Sequence, residues 1–79
     1  MDIVILKTAQ KHIDVMDQKT KGRIRDGISK IPWGDIKKLS GYQNLYRLRI
    51  GDYRIIFEIK DETVIVRDVL PRGQAYKKI

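Results

Sequence analysis

The chain has no cysteine. Disulfides, thiolate nucleophiles and cysteine-bound metals are therefore excluded, and the composition gives no sign of an oxidising compartment. Histidine is nearly absent as well. His12 is the only one, it lies one residue from Ile13 at the rim of a helical apolar stripe, and no catalytic partner stands near it in sequence. It reads as structural or solvated. Long apolar runs are missing: Ile3-Val4-Ile5-Leu6 is too short for a signal-peptide core or a membrane span. That reads as a cytoplasmic protein with no membrane partner. A phosphate-binding glycine loop, a nucleophile elbow and any run of metal ligands at site spacing are also lacking, so neither a metal (none expected) nor cofactors (none expected) enter the reading. The lone tryptophan, Trp33, follows a helix and reads as a packing anchor rather than a stacking platform.

What remains is a basic chain of 79 residues, which makes one domain over residues 1–79 with a single small core. Its formal net charge is +7 and its pI about 9.9, which favours a polyanionic partner. Residues 1–34 carry net +3 and residues 35–79 net +4. The excess is thus even along the chain, and only folding can concentrate it.

The stretch Leu-Tyr-Arg-Leu-Arg-Ile-Gly-Asp-Tyr-Arg-Ile-Ile-Phe, Leu45 to Phe57, does so. It reads as two strands joined at Gly51-Asp52. Side chains in a strand alternate between faces, so Tyr46, Leu48 and Ile50 share one face, and Arg47 and Arg49 project from the other. On the return strand Tyr53, Ile55, Phe57 and Ile59 face the core. Arg54 then joins Arg47 and Arg49 outside.

Before the hairpin, Ile3–Leu6 suits a buried strand. Ala9, Ile13 and Met16, then Ile24, Ile28 and Ile31, recur at helical spacing and predict two helices. Thr8 and Thr20 are the N-cap candidates. Gly22 and Gly27 weaken the second helix by about 1 kcal/mol each, and Pro32 ends it. Trp33 to Asn44, with Lys37 and Lys38, reads as a loop. Thr63–Leu70 is a third strand of the meander, with Val64, Val66 and Leu70 turned to the core and Ile65 and Arg67 outward. The fold class predicted is α+β: a small antiparallel sheet made of an N-terminal strand and a three-strand meander, a helical hairpin on one face, and a short C-terminal tail or helix.

The open face carries Arg47, Arg49 and Arg54, with Arg67, Arg72 and Lys77 added by the following strand and tail. Arg47 and Arg49 stand about 6.6 Å apart at roughly 3.3 Å rise per residue. Arginine's planar fork suits phosphate. Tyr53 and Tyr76 offer rings for an unstacked base, and no recognition helix is evident. Single-stranded RNA fits this better than duplex DNA. Lys37, Lys38, Tyr53, Arg67 and Lys77 are the RNA-binding candidates around the arginines.

Lys38-Leu39, Gly41, Leu45-Tyr46-Arg47-Leu48-Arg49, Gly51-Asp52-Tyr53-Arg54-Ile55-Ile56 and Arg72-Gly73-Gln74-Ala75-Tyr76 strongly resemble the RelE/ParE toxin superfamily of type II toxin–antitoxin systems, on its RelE-like branch. The resemblance is dense from Lys37 to Lys77 and architectural before it. It implies a toxin that cleaves mRNA on the ribosome by attack of a 2′-hydroxyl on the adjacent phosphate, without metal, and that a cognate antitoxin protein neutralises. Carried over by position, the catalytic residues are Arg47, Arg49, Arg54, Arg72 and Tyr76. Arg47 and Arg49 stand where familiar members have lysine. Arginine does not deprotonate, so the base is open among Tyr76, Glu58 and water. The resemblance also admits a ParE-like poison of DNA gyrase, or an inactive binding module.

Overall fold

In the computed structural model, which describes residues 2–71, the chain runs β1 (Asp2–Ile5), α1 (Lys7–Asp14), α2 (Gln18–Ser29), β2 (Asp35–Lys38), β3 (Leu45–Ile50), β4 (Tyr53–Lys60) and β5 (Thr63–Pro71). The five strands form one sheet in the order β1-β5-β4-β3-β2. The α+β class, the meander and the helical hairpin on one face are as the sequence predicts. Several features are not. β1, expected to be buried, leaves Ile3 and Val4 exposed. Asp35–Lys38, expected in a loop, pairs antiparallel with β3 along the far edge, setting Ile36 opposite Leu48. And β1 pairs with β5 in parallel, Ile3 opposite Val64 and Ile5 opposite Val66, so the sheet is mixed. A parallel pair needs a long crossover, which everything between Leu6 and Glu62 supplies.

The helices bury the stripes their spacing announces: Ala9 and Ile13 from α1, Ile24 and Ile28 from α2, with Ile31 just beyond. Both start earlier than the threonines suggest, with Leu6 and Asp17 at the N-caps. The Thr20 side chain, hydrogen-bonding Asp17, holds that carboxyl below the usual carboxylate range, which suits a negative charge at a helix start. Gly27 is more than a weak point in α2. A Cβ there would collide with Ile50 Cδ1, so the glycine sets how closely α2 approaches β3.

Against these stripes the sheet presents Leu48, Ile55, Phe57, Val64, Val66 and Val69, all buried. Val69 takes the place expected of Leu70. The cause is a bulge: Ile56 pairs with Asp68 but Phe57 with Val66, leaving Arg67 as an extra residue on β5. One added residue reverses the facing of all that follow. Leu70 thereby moves to the outer face, where it packs against Leu39, Leu45 and Ile56 in a second apolar cluster. The hairpin ends are tight. Ile50 pairs with Tyr53 across Gly51-Asp52, and Lys60 with Thr63 across Asp61-Glu62. Asp61 and Glu62 both have positive φ, the requirement of a turn that matches strand twist.

Candidate nucleic-acid interface

Register decides which cations meet. Arg49 lies directly opposite Arg54 across β3 and β4, one pair in from the Gly51-Asp52 turn. Residues so paired share a face, with Cβ atoms roughly 4.5–5.5 Å apart. Among the described residues neither has an ion-pair partner. Arg49 is exposed and Arg54 half-buried. Like charges directly opposite each other destabilise a sheet, so this pair works against the fold unless an anion sits between the two guanidinium groups.

Arg47 is placed differently. It occupies the same face, opposite Ile56 on β4 and Lys37 on β2. Its side chain is only 13% exposed, and its Nη1 lies 3.8 Å from Asp35 Oδ1. Its charge is thus partly met by Asp35 and its side chain is largely covered, so it offers less to a ligand than Arg49 or Arg54. Arg67 is exposed on the outer face, but its Nη1 is 3.5 Å from Glu58 Oε2.

The remaining candidates separate. Lys37 stands beside Arg47 on the arginine face. Lys38 pairs with Tyr46 and so belongs to the helix side of the sheet. Tyr53 shares its face with Ile50 and Pro71 and packs against the core under the helices, so its ring is on the side away from Arg54. Arg72, Tyr76 and Lys77 lie outside the described residues.

One constellation was not legible in the sequence. His12 has a partner after all: its Nδ1 lies 2.6 Å from Asp68 Oδ1 and 3.1 Å from the Val69 carbonyl oxygen. Both neighbours are acceptors, so Nδ1 carries the proton and donates it, which leaves Nε2 as the free nitrogen. The same Asp68 oxygen accepts the Val69 N–H at 2.8 Å. The ring, 46% exposed, borders a cleft of about 530 Å³ that Met16, Tyr53 and Pro71 help to line. No local signal could have revealed a pair separated by 56 residues; it forms where α1 packs against the part of β5 that lies beyond its pairing with β1.

Comparison with known proteins bears on this arrangement. Residues 3–76 match the family model described as the ParE toxin of the parDE type II toxin–antitoxin system. Toxin RelE3 of Methanocaldococcus jannaschii is 52% identical over 42 residues, which cover 53% of this chain and 48% of that protein. The chain spans about half the length of the curated relatives it matches. Among solved structures, the RelB-RelE antitoxin–toxin complex from Methanococcus jannaschii superposes with a TM-score of 0.74 at 33% identity, covering 86% of this chain and 88% of that one. The isolated E. coli RelE toxin shares the fold, with a TM-score of 0.77 at 17% identity over 95% of this chain and 87% of that one.

Proposed function

The chain belongs to the ParE toxin family of type II toxin–antitoxin systems, and on that premise we propose that it is a RelE-like endoribonuclease acting in the cytoplasm, which cleaves mRNA on the ribosome and is neutralised by a cognate antitoxin. The observation that carries this reading is the unpaired Arg49–Arg54 couple, one pair in from the β3–β4 turn. Such a couple is built for a doubly ligated phosphate. The scissile group sits between the two forks. The 2′-oxygen of the preceding ribose forms a bond to phosphorus as the bond to the 5′-oxygen breaks. One proton leaves the 2′-hydroxyl and one reaches the departing 5′-oxygen. Negative charge grows on the non-bridging oxygens during this exchange, and the arginines, already in place, stabilise it. Arg47 and Lys37 extend the positive face along β3 and β2 for the flanking backbone, and the resemblance to the toxin superfamily adds Arg72 and Tyr76, outside the described residues, as the further candidates.

The proton acceptor is narrowed by register. Glu58 is four residues from Arg54 on the same strand, about 13 Å at roughly 3.3 Å rise per residue, and it faces Arg67. It does not reach a phosphate held by Arg54. Tyr76 or water takes the proton.

Poisoning of DNA gyrase is the second reading, favoured by the ParE name of the matching family. Pulse-labelling after expression without antitoxin separates the two. Protein synthesis should stop first, with mRNA cut within ribosome-covered regions. Arrest of DNA synthesis first, with mRNA intact, overturns the nuclease reading.

A further inference from the structure

Trp33 does not anchor anything. It is 77% exposed, the one tryptophan of the chain standing in solvent. Its backbone is nonetheless held. The Ile31 N–H donates to Ile28 O at 3.2 Å, the Trp33 N–H to Lys30 O at 2.7 Å and the Ile36 N–H to Gly34 O at 3.0 Å. An indole on a fixed backbone, with its faces free, is a stacking surface that loses little freedom when used.

Its neighbours give the chemistry. Trp33 rims a hollow of about 290 Å³ together with Arg23, Lys30, Asp26, Asp35 and Arg49. The acids are engaged: Asp26 Oδ2 lies 2.9 Å from Lys30 Nζ, and Asp35 faces Arg47. Arg23 and Arg49 have no ion-pair partner among the described residues. Arg23 also extends from α2 over the β3–β4 turn, where a Cβ on Gly51 would come within 2.9 Å of its Nη2. Arg54, Arg49 and Arg23 thus form a basic path around the end of β3, and Trp33 stands beyond it. A protein partner would want apolar company around such a ring. Of the other exposed large apolar side chains, Ile3, Val4 and Leu6 lie in or just after β1 at the opposite edge of the sheet, Val15 follows α1, and Tyr42 lies between β2 and β3; the apolar side chains that border the hollow, Leu48 and Ile50, are packed with the core.

We propose that Trp33 is a base-stacking platform for single-stranded RNA, with Arg23 and Arg49 holding the phosphates that flank the stacked base. This rests on the RNA reading of the arginine face and extends it around the sheet edge. Stacked bases and flanking phosphates could belong to mRNA or to an unpaired ribosomal RNA segment, and both present the same chemistry.

Because the chain has a single tryptophan, its emission reports Trp33 alone. The probe is a short fluorescein-labelled single-stranded RNA with 2′-O-methyl groups, which cannot be cleaved through a 2′-hydroxyl. Its anisotropy measures binding while tryptophan emission is followed. Binding should quench Trp33, whereas inorganic polyphosphate should bind without quenching. Trp33→Ala should weaken RNA binding about 5- to 150-fold, Trp33→Phe should restore most of it, and Arg23→Ala should lower the slope of log affinity on log salt by about 0.7. Trp33 is exposed, and thermal melting confirms that its variants fold. Pelleting with vacant and with mRNA-programmed ribosomes assigns the source. A loss in both for Trp33→Ala indicates ribosomal RNA; a loss only with programmed ribosomes indicates mRNA. RNA binding without quenching and with equal affinity for Trp33→Ala overturns the proposal but leaves the arginine face as an RNA site. Quenching by an acidic peptide and not by RNA also overturns it, in favour of a protein partner. If the parent neither binds the RNA nor cuts mRNA on ribosomes, the underlying RNA reading falls with it.

Discussion

Replacing Arg54 with alanine should separate function from folding in a direction opposite to the usual one. Arg54 faces Arg49 across two strands, with no acidic partner for either among the described residues. Two guanidinium charges about 6 Å apart repel by about 0.7 kcal/mol in water and about 3 kcal/mol at an effective dielectric of 20. Since Arg49 is exposed, the lower end applies, in keeping with the roughly 0.2–1 kcal/mol typical of cross-strand pairs. Against this stands the lost packing of the half-buried Arg54 stem beside Leu70, its neighbour on β5, which counts at about 25 cal/mol per Å² of apolar surface. The melting temperature should therefore hold or rise, by no more than about 4–8 °C. Cleavage should fall by about 10²–10³, the loss usual for one charge-stabilising donor. Single-turnover cutting of mRNA on programmed ribosomes measures the second. Melting at about 0.01 M and about 1 M salt measures the first: screening shortens from about 30 Å to about 3 Å over that range, so the parent should gain stability with salt and Arg54→Ala should gain less. A variant that cuts as fast as the parent, or that loses cutting because it melts well below the parent, refutes the reasoning.

Arg67→Ala, whose charge is spent on Glu58, should reduce cleavage less than tenfold on the same ribosomes, the cost of a charge remote from the reacting phosphate. Gly27→Ala should change stability by between about 0 and 2 kcal/mol of loss, the overpacking against Ile50 of about 1–3 kcal/mol less the roughly 1 kcal/mol that alanine returns to the helix, and denaturant melts measure the difference. Phe57→Ala, at the centre of the core, should cost about 3–5 kcal/mol and leave little folded protein at 37 °C by circular dichroism. For Asp17, whose carboxyl is held low in the folded chain, the stabilisation is complete above the ordinary carboxylate range and fades as pH falls through that range to the lower folded value. Asp17→Asn should accordingly flatten the acid limb of the stability curve, measured by urea titration at stepped pH.

The alternation from Leu45 to Phe57 was sufficient by itself to define the hairpin, its two faces and the arginine side, because a period of two is a local property of extended chain. Helical spacing did the same for Ile13, Ile24 and Ile28. The residues that resemble the toxin superfamily were likewise readable from the order of side chains alone. Pairing was not. Asp-Ile-Lys-Lys has no strong strand character, and it becomes β2 only because the open edge of β3 completes its hydrogen bonds. The parallel placement of β1 depends on where the last strand falls. The bulge at Arg67 puts Val69 in the core in place of Leu70, and the contact of His12 with Asp68 joins residues 56 apart in sequence. Whether Trp33 is covered or exposed likewise depends on the path of the chain after α2. Each of these is settled by contacts between segments far apart in sequence, whose energies no local pattern of side chains contains.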